Sequence, residues 1–178
     1  MNKNEIVNML KECGAVQFGS FVLTSGATSN YYIDIKKAST KPVILKKISH
    51  AMAPYTKGYD MIAGMELGAV PLAVALSLET GLPYVIIRKE KKEHGTGKQI
   101  EGDDVNGKRV LLVEDVTTTG GSVLKSISIL RENKAIVERV VSVVDRGSGA
   151  REKLEALGVE FTSLVSVDDI LKKNHEKI

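Results

Sequence analysis

An α/β architecture, with a mainly parallel central sheet flanked by helices and a small N-terminal hood, follows from the pattern of apolar residues along this chain. Short β-rich runs alternate with amphipathic stretches at helical spacing, the order expected when helices cover both faces of a sheet. One of those runs, Val110 to Val113, is apolar at every position. No internal repeat and no linker divides the 178 residues, and a chain of that length can bury a substantial core without disulfides or metal staples. A single domain over residues 1–178 is therefore expected, with the hood built mainly from about residues 1–40.

The elements are legible in order. Ile6, Val7, Met9, Leu10 and Cys13 recur at helical spacing and predict a first helix. Phe18–Leu23 and Tyr31–Ile35 read as two strands of the hood, separated by the turn-forming run Ser25-Gly26-Ala27-Thr28-Ser29-Asn30. Pro42 suits the first turn of a helix running to about Tyr55. Met61–Ala63 predicts a short buried strand, Pro71–Leu78 a helix and Tyr84–Ile87 a strand, after which residues 88–107 carry no hydrophobic period. Val110–Val113 is the next strand, and Val123, Ile127 and Leu130 mark one face of the helix that follows. Val137–Val144 predicts a strand, Ala150–Leu157 a helix stopped by Gly158, and Phe161–Val167 the last strand.

Composition narrows the class. Hydrophobic residues make up 43% and charged residues 26%, which argues against a disordered or fibrous chain. A net charge of +3 with a pI near 8.9 is too mild to argue for nucleic acid, yet compatible with a small anionic substrate. The lone Cys13 can form no internal disulfide, and no segment approaches the ~20 apolar residues of a membrane span. A cytoplasmic protein with no membrane partner is expected.

In open α/β sheets ligands gather at the carboxyl ends of strands. Three unusual loops fall there: Gly64–Gly68, Arg88–Gly102 and Glu114–Ser122. The last, Glu114-Asp115-Val116-Thr117-Thr118-Thr119-Gly120-Gly121-Ser122, leads from a buried strand into a helix. Its glycines let a ligand approach the backbone, and the helix N-terminus offers N–H groups and partial positive charge to a phosphate. The hydroxyls of Thr117, Thr118, Thr119 and Ser122 add donors. Glu114 and Asp115, read as ionised acceptors, suit the two hydroxyls of a ribose and would repel a phosphate laid on them. A ribose 5-phosphate satisfies that order. Neither a lysine-bearing P-loop nor a GxGxxG fingerprint is present. Taken alone, the segment also reads as a solvated strand end followed by a capped turn.

The polar run Arg88–Gly102 is long for a loop inside a compact domain. Arg88, Lys89, Lys92 and His94 can together neutralise a diphosphate, and Gly95 and Gly97 can let the loop open and close. With Glu90 and Glu93 balancing the charge, it equally reads as a solvated surface loop.

The two segments together resemble a known family. Two acids closing an apolar strand before a Thr/Gly loop resemble the phosphoribosyltransferase signature. Arg88-Lys89-x-x-Lys92-x-His94-Gly95-x-Gly97 matches the catalytic-loop pattern of the orotate phosphoribosyltransferases, and Asp145-Arg146-Gly147 extends the match over most of the chain. The resemblance implies the type I phosphoribosyltransferase fold and transfer of phosphoribosyl from 5-phosphoribosyl 1-diphosphate to orotate. It implies that Arg88, Lys89, Lys92 and His94 bind diphosphate, reaching into the neighbouring subunit of a homodimer, with Lys92 and His94 as catalytic contacts to the leaving group. Residues 114–122 would hold the ribose 5-phosphate, and Thr118 and Arg146 would contact orotate. Ser25-Gly26 and Tyr31-Tyr32 resemble the turn that covers the base. Mg²⁺ would arrive chelated by the diphosphate and sugar hydroxyls, with no metal site built from protein ligands alone. Two departures set it apart from many members, which have Lys at Thr24 and a Tyr-Lys pair at Leu67-Gly68. The missing lysines leave less positive charge around the diphosphate: either Lys89 and Lys92 suffice, or turnover is slower, or the loop Met65-Glu66-Leu67-Gly68 binds mainly through its backbone. Two rivals share residues 114–122: a purine or uracil phosphoribosyltransferase, and a regulator that senses the sugar donor and binds nucleic acid.

Overall fold

The computed structural model describes residues 1–22, 28–90 and 98–172. Helix α1 (Lys3–Glu12) opens with a capping box in which the Asn2 side chain accepts from the Glu5 N–H at 3.0 Å and Glu5 accepts from the Asn2 N–H at 2.9 Å. Strands β1 (Val16–Val22) and β2 (Thr28–Ile33) form the antiparallel hood, with a register shift between Phe18 and Phe21. Both begin two or three residues before the expected bounds, because pairing sets their limits: Thr28 and Ser29, which read as turn residues, face Val22 and Phe21. Short helix α2 (Lys36–Ser39) follows, unannounced by any periodicity. Helix α3 (Pro42–Met52) gives way at Ala53–Thr56 to a 3₁₀ turn, since Pro54 brings no N–H to continue the helix.

Six strands make the main sheet: β3 (Met61–Met65), β4 (Tyr84–Ile87), β5 (Ile100–Glu101), β6 (Val110–Thr117), β7 (Arg139–Asp145) and β8 (Glu160–Ser166). Their spatial order is β5-β4-β3-β6-β7-β8, all parallel except β5, which pairs antiparallel with β4. Helix α4 (Val70–Thr80) connects β3 to β4, α5 (Gly121–Glu132) connects β6 to β7, and α6 (Ala150–Ala156) connects β7 to β8; α7 (Val167–Leu171) follows β8.

The period of two along the strands divides the core. Ile62, Leu111, Val113, Val141 and Val143 pack with α1, α3 and α4 on one face, whereas Met61, Ala63, Val110, Leu112 and Val140 pack with α5 and α6 on the other. That is why the run from Val110 is apolar throughout: both faces are covered, and each fully buried Val or Leu contributes roughly 1.5–3 kcal/mol.

Three differences from the sequence expectation have identifiable causes. β6 does not stop at Val113 but runs through the acids to Thr117, because its ladder with β7 continues through Glu114, Val116 and Thr117, opposite Ser142, Val144 and Asp145. Polarity ended the apolar run without ending the backbone pairing. The two-residue β5 is too short to show a period, yet it closes the base of the 88–99 loop. The third, α7, had a visible signal: Ser166 accepts from the Asp169 N–H at 3.2 Å while Asp169 accepts from the Ser166 N–H at 2.9 Å.

Candidate active site

At the carboxyl end of β6 the chain turns into α5 through Thr118, Thr119 and Gly120. Gly120 is the N-cap with φ of +82°, and a Cβ there would also lie 3.2 Å from the Ala150 Cβ, so the turn needs glycine for both conformation and closeness. The first intrahelical bond runs from the Leu124 N–H to the Gly120 carbonyl at 2.8 Å, so helix geometry leaves the N–H groups of Gly121, Ser122 and Val123 without an intrahelical partner. A cavity of about 190 Å³ opens over them, lined by Glu114, Val116 and residues 117–123. Thr117 is 1% exposed, and its Oγ1 makes no hydrogen bond among the described residues. Lys153 of α6 donates to the Thr119 carbonyl at 3.0 Å and steadies the loop from outside. The result is a phosphate-sized cradle at a helix N-terminus.

A second cavity, of about 300 Å³, shares Glu114 and Ser122 with the first and is lined also by Met65–Gly68, Asp115, Lys36 and Lys89. The peptide bond between Glu66 and Leu67 is cis. A Cβ on Gly68 would stand 2.0 Å from Asp115 Oδ2, so this loop lies directly against the acid pair. The space a side chain at Gly68 would occupy is filled by the Asp115 carboxylate.

The cationic loop is anchored to this second cavity. The Lys89 N–H donates to Glu66 Oε1 at 2.8 Å, and the Arg88 N–H donates to the Gln99 carbonyl at 2.9 Å. Gln99 Nε2 donates to the carbonyls of Arg88 and Lys89 at 3.2 and 3.3 Å, and Lys125 of α5 donates to the Lys89 carbonyl. Arg88 lies 3.7 Å from Glu101, and its Nε makes no hydrogen bond among the described residues. Lys92, His94, Gly95 and Gly97 lie outside the described residues, as do Thr24, Ser25 and Gly26 of the hood.

On the opposite side of the cradle, Arg146 follows the end of β7, and its N–H donates to the Thr117 carbonyl at 2.9 Å, which brings Thr118 and Arg146 side by side. The Arg146 guanidinium lies 5.1 Å from the Tyr31 ring centroid, so the hood and the body meet over this point. Tyr32 packs against Phe21 at 5.6 Å. Asp145 accepts from the Gly147 N–H at 2.8 Å and fixes the turn beyond Arg146.

The acid pair is not two equivalent carboxylates. Glu114 is 7% exposed, and burial, then the neighbouring Asp115 charge, push its carboxyl up to about 8. It is thus mostly protonated at neutral pH, in contrast to the sequence reading of two ionised acceptors, and it can donate as well as accept. Hydrogen bonds from the Asp115 N–H to Glu114 Oε1 at 3.0 Å and from the Val116 N–H to Asp115 Oδ1 at 2.7 Å fix both side chains.

Of the expected residues, 114–122, Arg88, Lys89 and Arg146 gather around one region of the sheet's carboxyl edge. Sequence reading passed over Lys36, Lys125 and Lys153, which reach the site from α2, α5 and α6. Their only signal was charge at a helix position, which most surface lysines share.

Comparison with known proteins agrees with this geometry. Residues 40–169 match the phosphoribosyl transferase domain family. Orotate phosphoribosyltransferase of Pyrococcus horikoshii is 53% identical over 174 residues, covering 96% of this chain and 94% of that protein. The enzyme of the same name from Methanocaldococcus jannaschii is 50% identical over 94% of this chain and 96% of its own length. The crystal structure of orotate phosphoribosyltransferase from Aeropyrum pernix superposes with a TM-score of 0.85 at 36% identity, covering 93% and 96% of the two chains. That of the Mycobacterium tuberculosis enzyme in complex with 5-phospho-α-D-ribosyl 1-diphosphate gives 0.79 at 31%, covering 94% and 98%. The chain belongs to the phosphoribosyl transferase domain family, on its orotate phosphoribosyltransferase branch.

Proposed function

We propose that this protein transfers the phosphoribosyl group of 5-phosphoribosyl 1-diphosphate to orotate, giving orotidine 5'-phosphate and diphosphate in de novo pyrimidine (UMP) synthesis. One observation carries the reading: the α5 cradle adjoins the acid pair of β6 on one side and Arg146 on the other, so a 5-phosphate in the cradle would have both ribose-hydroxyl partners and a carboxylate-binding guanidinium beside it. Thr117–Ser122 hold the 5-phosphate, and Glu114 and Asp115 hold the ribose hydroxyls. Thr118 and Arg146 orient orotate beneath Tyr31, a guanidinium being the cation best matched to a carboxylate.

Orotate N1 attacks C1 of the ribose as diphosphate departs, through a transition state with oxocarbenium character. Little covalent help is needed, so catalysis rests on alignment and on cations that stabilise the departing charge. Arg88 and Lys89 stand at the loop base, with Lys92 and His94 as the leaving-group contacts. Closure of the loop excludes water that would hydrolyse the donor.

Mg²⁺ would arrive chelated by the diphosphate and sugar hydroxyls of the donor and would screen the diphosphate charge there. A homodimer with shared sites belongs to the same reading, the 88–102 loop reaching into the neighbouring subunit, and Leu78 of α4, 84% exposed, is an apolar residue open to a partner. The free thiol of Cys13 suits the reducing cytoplasm.

The test mixes the pure protein with orotate, 5-phosphoribosyl 1-diphosphate and Mg²⁺ and follows loss of orotate absorbance. Adenine in place of orotate is the second arm. Consumption of adenine but not orotate overturns the choice of base, and no consumption of either overturns the reaction.

A further inference from the structure

We propose that Lys36, at the start of α2, is a diphosphate-binding residue: it supplies from the hood side a cation that loop 65–68 does not carry. The inference rests on the reading of the second cavity as the diphosphate site.

That cavity is acidic before it is basic. Glu66 and Asp115 line it beside the mostly protonated Glu114, and a diphosphate can settle there only if cations face it from the walls. Loop 65–68 contributes Met65, Glu66, Leu67 and Gly68, none of them cationic. No side chain can be added at Gly68 without displacing Asp115, whose carboxylate already occupies the Cβ position. Among the described residues lining the cavity the cations are Lys36 and Lys89, from opposite sides of the chain's path.

Lys36 is set up for this task rather than loose on the surface. Its Nζ lies 2.8 Å from Asp34 Oδ1, and the same oxygen accepts from the Lys36 N–H at 3.2 Å, so the side chain is held at both ends. An ammonium has three N–H donors, and Asp34 engages one. The Asp34 hydrogen bond is the largest influence on its charge and favours it; partial burial opposes it next, and attraction to Asp34 and then Asp115 adds to the favourable side, leaving the ammonium form favoured. The side chain is 52% exposed, so it can shift toward a phosphate oxygen at little cost in packing. Ile35, fully buried in the core beside it, fixes where the lysine emerges.

Three variants separate a binding role from a structural one. Lys36→Met removes the charge, Lys36→Arg keeps it, and Asp34→Asn removes the ion pair while leaving both the cation and the oxygen that accepts from the Lys36 N–H. Initial rates are measured against donor and against orotate, with inhibition by inorganic diphosphate as a third readout. Lys36→Met is expected to raise the donor KM about tenfold, the loss of one charge-assisted hydrogen bond, and to weaken diphosphate inhibition by a similar factor. The orotate KM stays within about twofold, Lys36→Arg recovers most of the loss, and Asp34→Asn keeps its donor KM within about threefold. An unchanged donor KM and diphosphate inhibition in Lys36→Met overturns the inference, as does an Asp34→Asn defect equal to that of Lys36→Met. A parent protein that does not consume orotate overturns the underlying reaction instead, which is a separate result read before any variant.

Discussion

Glu114 is held in the folded chain with its carboxyl near 8 rather than its ordinary 4.5, because burial and the adjacent Asp115 both oppose a second negative charge. The folded state therefore binds more protons than the unfolded one between those values, so this group's contribution to stability is present at low pH and is lost as pH rises through about 8. Glu114→Gln keeps the oxygen that accepts from the Asp115 N–H and removes the ionisation. Its stability should exceed the parent's by up to about 4 kcal/mol at about pH 9 and match it within about 1 kcal/mol at about pH 5, as read from denaturant midpoints. A parent whose midpoint does not fall relative to the variant over that range contradicts the burial argument. Gly120 offers a test of the cradle. Gly120→Ala should cost about 1–2 kcal/mol from its left-handed conformation alone, and it should weaken donor binding because the loop must also move off Ala150. Thr117–Ser122 were legible as residue types, since glycines and hydroxyls before a helix have few other uses. The protonation of Glu114 was not, because it depends on strand pairing and on neighbours contributed from elsewhere in the chain.

The two ends of the segment from Arg88 to Gln99 are held together at the sheet's edge. Its base is closed by the β4–β5 pairing, by the Arg88 N–H to Gln99 bond and by the two bonds that Gln99 Nε2 donates. Gln99→Ala removes the side-chain clasp while leaving every charge in place. Turnover should fall several-fold with thermal stability lowered by no more than about 1–2 kcal/mol, the worth of two partly exposed hydrogen bonds. Lys92→Ala/His94→Ala should depress turnover far more, with the melting temperature nearly unchanged; normal turnover in that double variant removes both residues from the mechanism. The placement of Arg88 and Lys89 at the site's edge could be read from the sequence because their pattern is local. β5 could not, because two residues cannot display a period, and α2 could not, because four residues carry neither a cap signal nor an amphipathic face.

At the scale of the molecule, the site is where separately folded parts meet. β6 and α5 supply the cradle, β7 supplies Arg146, the hood lays Tyr31 over that arginine, and α2 sends Lys36 to the cavity beyond. The alternation of strands and helices made the sheet predictable, since covered faces require apolar runs. The descent of the hood onto the body was not, because it turns on single side chains far apart in sequence. On the proposed reading the floor under the sugar donor comes from the body alone, so a chain lacking only its distal loop charges should keep an intact floor to lend to a partner. Two variants, each inactive by itself, test this: Lys92→Ala/His94→Ala, which spares the floor, and Asp115→Asn, which spares the loop. If loops cross between subunits of a homodimer, each mixed dimer has one site with both defects and one with neither. Random exchange in an equal mixture makes half the dimers mixed, so activity should return to about a quarter of the parent's. If each loop closes over its own site, every site keeps a defect and the mixture stays inactive. The measurement is the rate of orotate loss after unfolding and joint refolding, with the parent carried through the same treatment to set the scale. Recovery near one quarter requires both a dimer and crossing loops, whereas a mixture no better than its components denies at least the crossing.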